Sequence, residues 1–481
     1  MKLSRLIAAL SNVSTENFYE QEIVGITVNS EAAAPGSVFV AIKGSRFDGA
    51  CFIPDAYSRG ARVFVTSKRS CIANDDVYIY SENPRKTLAE LCSCFFGNPQ
   101  KKMTVIGITG TKGKTTTSVI LSKIFDGAGI KNIVIGTLGA LSDKHRETHN
   151  TTPEPTVLFS LLREAADSGA EVAILEVSSQ ALKDFRVWGI NFTCVAFCGI
   201  APDHIGEFEH PTFFDYVHSK RRLFSDYGAR SAVVNFDDPY SIYISLDVPK
   251  VVKCGFLESD GLVIEKFKDS PHGSEFLLDG VRVKSSLHGM YNARNTAMAI
   301  AIAREVCQIS ISEAARYVKE VRVAGRFEQK ILDGKNVIVD YAHNAESFRE
   351  VITLCRGLFC GRIICVFGSV GDRSYNRRKE LALSAEKYAD FSVITSDNPG
   401  YEFPLSICAD IYSAFKDKTK AKIIVSREEA ISYAISEAKS GDTVLLLGKG
   451  HESVMNVGGK AIPFSDSELI NRKILALTHG S

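Results

Sequence analysis

A short apolar run that stops abruptly in a cluster of polar residues recurs along this chain, and it limits the fold more than any other feature. "TVIGI" gives way to Thr109–Thr115, "VAIL" to Glu176–Ser179 and "VIV" to Asp340–His343. "IICVFGSV" leads to Gly371–Arg373, "FSVITS" to Asp397–Pro399 and "TVLLL" to Gly448–Glu452. Unbroken apolar runs of this length suit parallel strands buried on both faces. Helix-period stretches such as "TTTSVILSKIFDGAGI" lie between them. The expectation is an α/β protein. In open parallel sheets ligands bind outside the carboxyl ends of the strands, so the polar clusters are the candidate sites.

With 481 residues the chain has room for about three domains of roughly 100–200 residues each. Residues 1–98 carry short β-rich runs and close with the turn signal "FFGNPQKKM". A second block runs from 99 to 326 and a third from 327 to 481. A net charge of +1 gives no electrostatic case for nucleic acid or an anionic membrane. Twelve scattered cysteines with no C-x-x-C pair fit buried thiols in a reducing cytosol rather than a zinc site. The start lacks an adequate signal-peptide core, and no stretch is long enough to span a bilayer. A cytoplasmic protein without membrane insertion is expected.

The loop "GITGTKGKTTTSVI", 107–120, sits between a strand and a helix, where backbone N–H groups and a helix N-terminus can hold phosphate. It breaks the G-x-x-x-x-G-K-[ST] rule: Ile108 stands where the first glycine belongs. Lys114 can reach the β- and γ-phosphates of a nucleotide, and the Thr115 hydroxyl can ligate Mg²⁺. Glu176, ending a strand, could ligate the same ion or could simply be an acid near a helix start. His204 taken alone reads as structural, and Lys220 with Arg221 and Arg222 as a solvated basic face. Asn292 and Asn295 lie at the start of an apolar helix and could cap it.

Taken together, "GTKGKT", "NTTPEP", "LEVSSQAL", "PDHIGEFEHPTFFDYVHSKRRLF", "GMYNARN", "VAGRFE", "VDYAHN", "GDR", "SDNP" and "GKGHE" occur in an order that resembles the Mur ligase family, MurE type. The likeness runs from about residue 26 to residue 452. It implies three α/β domains: an N-terminal mixed domain that binds UDP, a central P-loop ATPase-like parallel sheet, and a C-terminal Rossmann-like domain. It implies ATP-dependent addition of a third, diamino, residue to the D-Glu γ-carboxylate of UDP-MurNAc-L-Ala-D-Glu by a monomer, through an acyl phosphate. The acyl phosphate must be shielded from water, which points to domain closure.

The resemblance also implies roles for single residues. Gly110, Thr111, Lys112, Gly113, Lys114, Thr115, Thr116, Asn292, Asn295, Arg326, Asp340 and His343 would hold ATP. Thr115, Glu176, His204 and Lys220 would hold two Mg²⁺, Lys220 after capture of CO₂ as N6-carboxylysine. Lys114, Lys220, His204 and Arg326 would carry the catalysis. Ser30, Lys43, Gly44, Ser45, Thr151, Thr152, Ser179 and Arg186 would bind the UDP-MurNAc-peptide. Arg373, Asp397, Asn398, Gly448 and Glu452 would bind the amino acid. Two departures stand out. "DHIGEFEH" is longer than the usual D-H-L-D-x-H-G, which leaves His210 without a role. "NSE" at 29–31 replaces D-S-R, which changes the charge at the uracil end.

The incoming residue is expected to be L-lysine, with meso-diaminopimelate as the alternative. Gly400 in "SDNPGYEFP" stands where diaminopimelate enzymes usually carry an Arg for the distal carboxylate. Asp397 or Glu402 could attract the lysine ε-ammonium, although Glu402 also reads as a solvated loop acid. A folylpolyglutamate synthase would lack the N-terminal block, "DNP" and "GKGHE". A nonenzymatic nucleotide-binding regulator would not need Lys114, Thr115, Glu176 and Lys220 together.

Overall fold

The computed structural model describes residues 1–44, 47–68, 76–142, 144–203, 205–206, 209–371 and 375–479. It divides into two compact units. One comprises Met1–Glu265, Leu277–Val283 and Arg294–Val318. The other comprises Lys266–Phe276, Lys284–Ala293 and Lys319–Ser481.

In the first unit, a five-stranded sheet runs Val13–Glu16, Val77–Ser81, Val63–Thr66, Ser37–Val40, Gly25–Thr27. Its first pair is antiparallel and the others are parallel. Helix Pro84–Phe95 starts with Pro at N1 and with the Asn83 side chain accepting from the Lys86 N–H. Its Leu88, Leu91 and Cys92 join Val38 and Val63 in a core that continues into Val105, Ile133, Leu158 and Leu162. The N-terminal and central segments therefore share buried surface. Between them the chain turns at Asn98, in the left-handed region at φ +52°, followed by Pro99–Lys101.

The central sheet places Asn132–Gly136, Val172–Glu176, Thr104–Thr109, Cys194–Phe197, Ser231–Asn235 and Val251–Gly255 side by side and parallel. Thr104–Thr109 comes first in the chain yet lies in the middle. The chain leaves to one side, fills back through Val172–Glu176, then crosses to the other. This reversal opens a crevice at the carboxyl end of Thr104–Thr109. The run "VAIL", expected to be covered on both faces, is so: Val172–Glu176 is buried throughout, and so is Cys194–Phe197 in the same sheet.

The second unit holds a sheet ordered Glu328–Leu332, Lys335–Asp340, Thr443–Leu447, Ile363–Phe367, Phe391–Ile394, Ala421–Ile423. Five of its strands are parallel, as expected. The edge strand Glu328–Leu332 is antiparallel, because Asp333 and Gly334, at φ +49° and +71°, make a tight hairpin turn to Lys335. Phe348, Ile352 and Phe367 pack one face, and Val337, Val366, Ala430 and Leu446 the other. No helix among the described residues is long and apolar enough to cross a membrane.

Candidate active site

The loop of the first unit is tight enough to demand its glycines. Gly113, at φ +88°, precedes helix Lys114–Gly127, and a Cβ there would lie 2.6 Å from Asn295 Oδ1. At Gly110 a Cβ would sit 3.0 Å from Cys198 Cβ and from the Lys112 carbonyl. Helix-start N–H groups with no partner inside the helix face this loop. Lys114 Nζ folds back to donate to the carbonyls of Gly110 at 2.8 Å and Thr111 at 3.3 Å.

Glu176 is the hub of the neighbouring strand end and is 1% exposed. Its Oε2 accepts from the hydroxyls of Thr115 at 2.9 Å and Thr137 at 3.0 Å. Its Oε1 accepts from the Ser118 hydroxyl and the Thr137 N–H, each at 3.3 Å. Gly136 makes room, since a Cβ there would fall 2.1 Å from Oε1. Glu176 does not cap the next helix: Ser178 does, accepting from the Ala181 N–H. A carboxylate ringed by hydroxyls is an all-oxygen donor set, which suits a hard divalent cation such as Mg²⁺.

Lys220 is no solvated basic residue. It lies on helix Phe213–Ser225, is 2% exposed, and its Nζ donates to the Gly110 carbonyl at 3.0 Å. The amine sits 4.5 Å over the Tyr216 ring. Burial, and then the charge of Lys114, drive its pKa well below the ordinary lysine value. Arg221 and Arg222 behave differently, pairing with Asp247 and Asp226.

Beside this cluster Thr151, Thr152, Ser179 and Arg186 come together. The Thr151 and Thr137 hydroxyls are 3.1 Å apart. The Thr152 hydroxyl donates to the Glu176 carbonyl at 2.8 Å and accepts from the Ser178 N–H at 3.0 Å. Arg186 donates to the Thr152 carbonyl at 3.0 Å and pairs with Glu154 at 2.8 Å. His210, 1% exposed, lies with Nε2 3.0 Å from Ser179 Oγ and Nδ1 2.7 Å from Asp215 Oδ2. Ser30 and Lys43–Gly44 follow the carboxyl ends of Gly25–Thr27 and Ser37–Val40 in the N-terminal sheet. A hydrogen bond from Ser30 holds the Asp55 carboxyl below its ordinary pKa. The Gly44 N–H donates to the Phe47 carbonyl at 2.9 Å.

The second unit gathers another group. Asp340 accepts from the N–H groups of Phe327 and Ala342, each at 2.7 Å, and so holds the turn after Arg326. The Arg326 guanidinium lies 4.6 Å over the Tyr341 ring, with the His451 ring 5.1 Å from it on centroids. His343 Nδ1 is 2.8 Å from the Tyr341 carbonyl. Asn292 does not cap its helix: Met290–Cys307 begins two residues earlier, and Asn292 Nδ2 donates to the His288 carbonyl at 2.8 Å. Asn398 Nδ2 donates to Glu452 Oε2 at 2.8 Å. The fully buried Lys449 donates to Glu452 at 2.9 Å and to the Val454 carbonyl at 2.7 Å. Asp397 is buried, its pKa raised by that burial, and its Oδ1 has no hydrogen-bond partner among the described residues. Gly448, at φ +107°, lets the backbone pass close, since a Cβ would lie 2.6 Å from Asp397 Oδ2. Glu402 is not a solvated loop acid: Arg378 NH2 donates to both of its oxygens at 2.7 Å.

Comparison with known proteins matches three family models in sequence. They are the Mur ligase family catalytic domain over 22–95, the Mur ligase middle domain over 108–303, and the Mur ligase glutamate ligase domain over 325–450. A Bacillus licheniformis protein is 37% identical over 99% of this chain and 100% of its own length. The chain belongs to the Mur ligase family. That relative of this Mur ligase, and one from Aquifex aeolicus 36% identical over 94% of each chain, are named UDP-N-acetylmuramoyl-L-alanyl-D-glutamate–2,6-diaminopimelate ligases. A solved structure of that name overlays with a TM-score of 0.67 at 26% identity, covering 95% of this chain and 96% of the other.

In this Mur ligase the structure brings Lys114, Thr115, Glu176, Lys220, Thr151, Thr152, Ser179 and Arg186 to one set of strand ends. Asp397, Asn398, Gly448 and Glu452 meet in the second unit. Ser45, His204 and Arg373 lie outside the described residues. Sequence reading missed Thr137, Ser118, Glu154, Asp215 and Lys449. Thr137 carries a usable signal, because it follows the strand "NIVIG" directly. Lys449 sits inside "GKGHE" itself.

Proposed function

We propose that this Mur ligase uses ATP to join the D-Glu γ-carboxylate of UDP-MurNAc-L-Ala-D-Glu to the amine of a 2,6-diamino acid, in cytoplasmic peptidoglycan precursor synthesis. The observation that carries this reading is the Lys114–Thr115–Glu176–Lys220 cluster in a chain alignable end to end with ligases of that name. Mg²⁺ bound with ATP would offset negative charge on the phosphate oxygens. Thr115 and Glu176 would hold that ion, with His204 and Lys220 serving a second.

On this reading the helix start after Gly113 cradles phosphate, and Lys114 exchanges its loop carbonyls for phosphate oxygens. In its neutral form, which burial favours, the Lys220 amine adds CO₂ and sheds a proton to become a carbamate, which supplies an oxygen donor where an amine stood. Arg186, Thr151, Thr152 and Ser179 hold the acceptor peptide, and Ser30 with Lys43–Ser45 the UDP end. The acceptor carboxylate attacks the γ-phosphorus and ADP leaves. The amine then attacks the acyl phosphate, giving an amide and phosphate. Asp397 and Glu452 face the ammonium groups of the amino acid, and Arg373 its carboxylate. Asn292, Asn295, Arg326, Asp340 and His343 belong to the nucleotide side. The chain divides on this reading at 98 and 326 into acceptor, ATP and amino-acid domains.

The names of the relatives support diaminopimelate, the alternative, over lysine. Lysine stays the second reading because of Gly400, whose φ of +59° is a left-handed backbone that an Arg side chain adopts only with strain. A competition assay with equal L-lysine and meso-diaminopimelate, read by product mass, separates the two. Absence of ADP release with UDP-MurNAc-L-Ala-D-Glu and both amino acids would reject the whole reading.

A further inference from the structure

We infer that His210 is a positioning residue that fixes the Ser179 hydroxyl as a hydrogen-bond acceptor, matched to an amide N–H of the bound peptide. This rests on the reading that Ser179 lines the acceptor pocket. The chain of contacts starts at Thr212, which caps helix Phe213–Ser225 by accepting from the Asp215 N–H at 3.1 Å. The cap places Asp215 in the first turn, where the helix dipole favours a carboxylate. Asp215 Oδ2 lies 2.7 Å from His210 Nδ1. A carboxylate only accepts, so the ring proton sits on Nδ1. The ring packs at a tilt against Tyr216, centroids 5.1 Å apart and planes 59° apart, and is hemmed in on that side. Burial pushes the imidazole below its ordinary pKa; Asp215 opposes this, and the charges of Lys183 and Lys220 add to it.

A neutral ring protonated at Nδ1 has a bare Nε2. The Ser179 O–H must then donate to it across 3.0 Å. The only capacity Ser179 has left for a ligand is its oxygen lone pairs. Its partner is thereby an N–H donor, and a carboxylate placed there would be repelled. The three groups are spaced like a nucleophilic triad, but in the proposed reaction the nucleophile is the substrate's own carboxylate, and Ser179 needs only to be oriented.

The test is a double-mutant cycle on the full chain, read as KM for UDP-MurNAc-L-Ala-D-Glu, together with ¹⁵N spectra of histidine-labelled wild type. Loss of one such hydrogen bond is worth about tenfold. Ser179→Ala and His210→Phe should each raise KM about tenfold, while the double variant also stays near tenfold, because His210 acts only through Ser179. His210→Gln, whose carbonyl can accept from Ser179, should recover most of the loss. The wild-type spectrum should show the Nδ1–H tautomer. A double variant near hundredfold, an unchanged KM in His210→Phe, or an Nε2–H tautomer each overturns the inference while leaving the pocket intact. An unchanged KM in Ser179→Ala removes Ser179 from the pocket and the inference with it.

Discussion

The Thr115 hydroxyl donates to Glu176 Oε2 at 2.9 Å, tying the first turn of the loop helix to the end of the adjacent parallel strand. The contact holds a carboxylate that is 1% exposed beside the Gly110–Gly113 loop, which is proposed to take phosphate. Glu176→Gln keeps the shape but removes that charge. ADP release should fall about 10²–10³-fold, as when a single preorganised electrostatic group is removed, with little change in melting temperature. Glu176→Ala should add a stability cost of about 1–3 kcal/mol, because the buried groups that donate to Glu176 lose their acceptor. Wild-type turnover in Glu176→Gln would count against the metal role.

Lys220 tests the carbamate directly. The side chain is buried against Gly110 and the Tyr216 ring, so truncation leaves a cavity that a small carboxylate can enter. Lys220→Ala should lose turnover while nucleotide binding, read by a fluorescent ATP analogue, survives. Acetate or formate should restore part of the activity. Full turnover of the alanine variant without additive would end the carbamate reading.

Much of this was legible in the sequence, for identifiable reasons. A strand buried on both faces must be apolar throughout, so "VAIL" and "TVLLL" announce themselves. The polar residue that ends each strand is where the backbone leaves the sheet, so Glu176 and Asp340 are visible too. What the sequence hides is which partner a side chain takes. Lys220 directly precedes two arginines in the chain and reads as one of three surface cations; only the helix phase turns it inward while Arg221 and Arg222 turn to Asp247 and Asp226. Glu402 likewise reads as a free acid until Arg378, one helix away, is seen to hold both its oxygens. Asn292 looked like a cap because its type favours caps, but the helix had already begun.

The pair Arg427–Asp466 is wholly buried, with contacts of 2.6 and 2.8 Å. Arg427 also donates to the Leu447 carbonyl, at the strand end that leads into Gly448 and Lys449. Asp466→Ala strands a buried guanidinium and should cost roughly 3–5 kcal/mol. Replacing both residues together, Arg427→Met with Asp466→Leu, should cost far less, since no unpaired charge remains. Urea unfolding of the three proteins checks this. Equal losses in the single and double variants would mean that packing, not charge, sets the cost.

His451 should make the protein acid-sensitive, and the direction follows from its burial. Burial, with the Arg326 charge behind it, pushes the imidazole down to about 4 from an ordinary value near 6.5. Its Nδ1 is buried with no hydrogen-bond partner among the described residues, so a proton there gains little. Between these two values the unfolded chain binds a proton that the folded chain refuses. The stability from the neutral ring is therefore fully present above about pH 6.5 and lost as pH falls toward 4. At ~1.4 kcal/mol for each unit of displacement, the loss is at most roughly 3 kcal/mol. Carboxylates titrate over part of the same range, so a variant must isolate the imidazole. His451→Phe keeps a ring against Tyr341, whose centroid lies 5.1 Å from that of His451, but has no proton to bind. Urea midpoints of wild type and variant, compared at pH 7 and pH 4.5, should show wild type losing more stability than His451→Phe. An identical acid-induced loss in both would show that His451 does not titrate between the folded and unfolded states, and that the acid sensitivity belongs to the carboxylates alone.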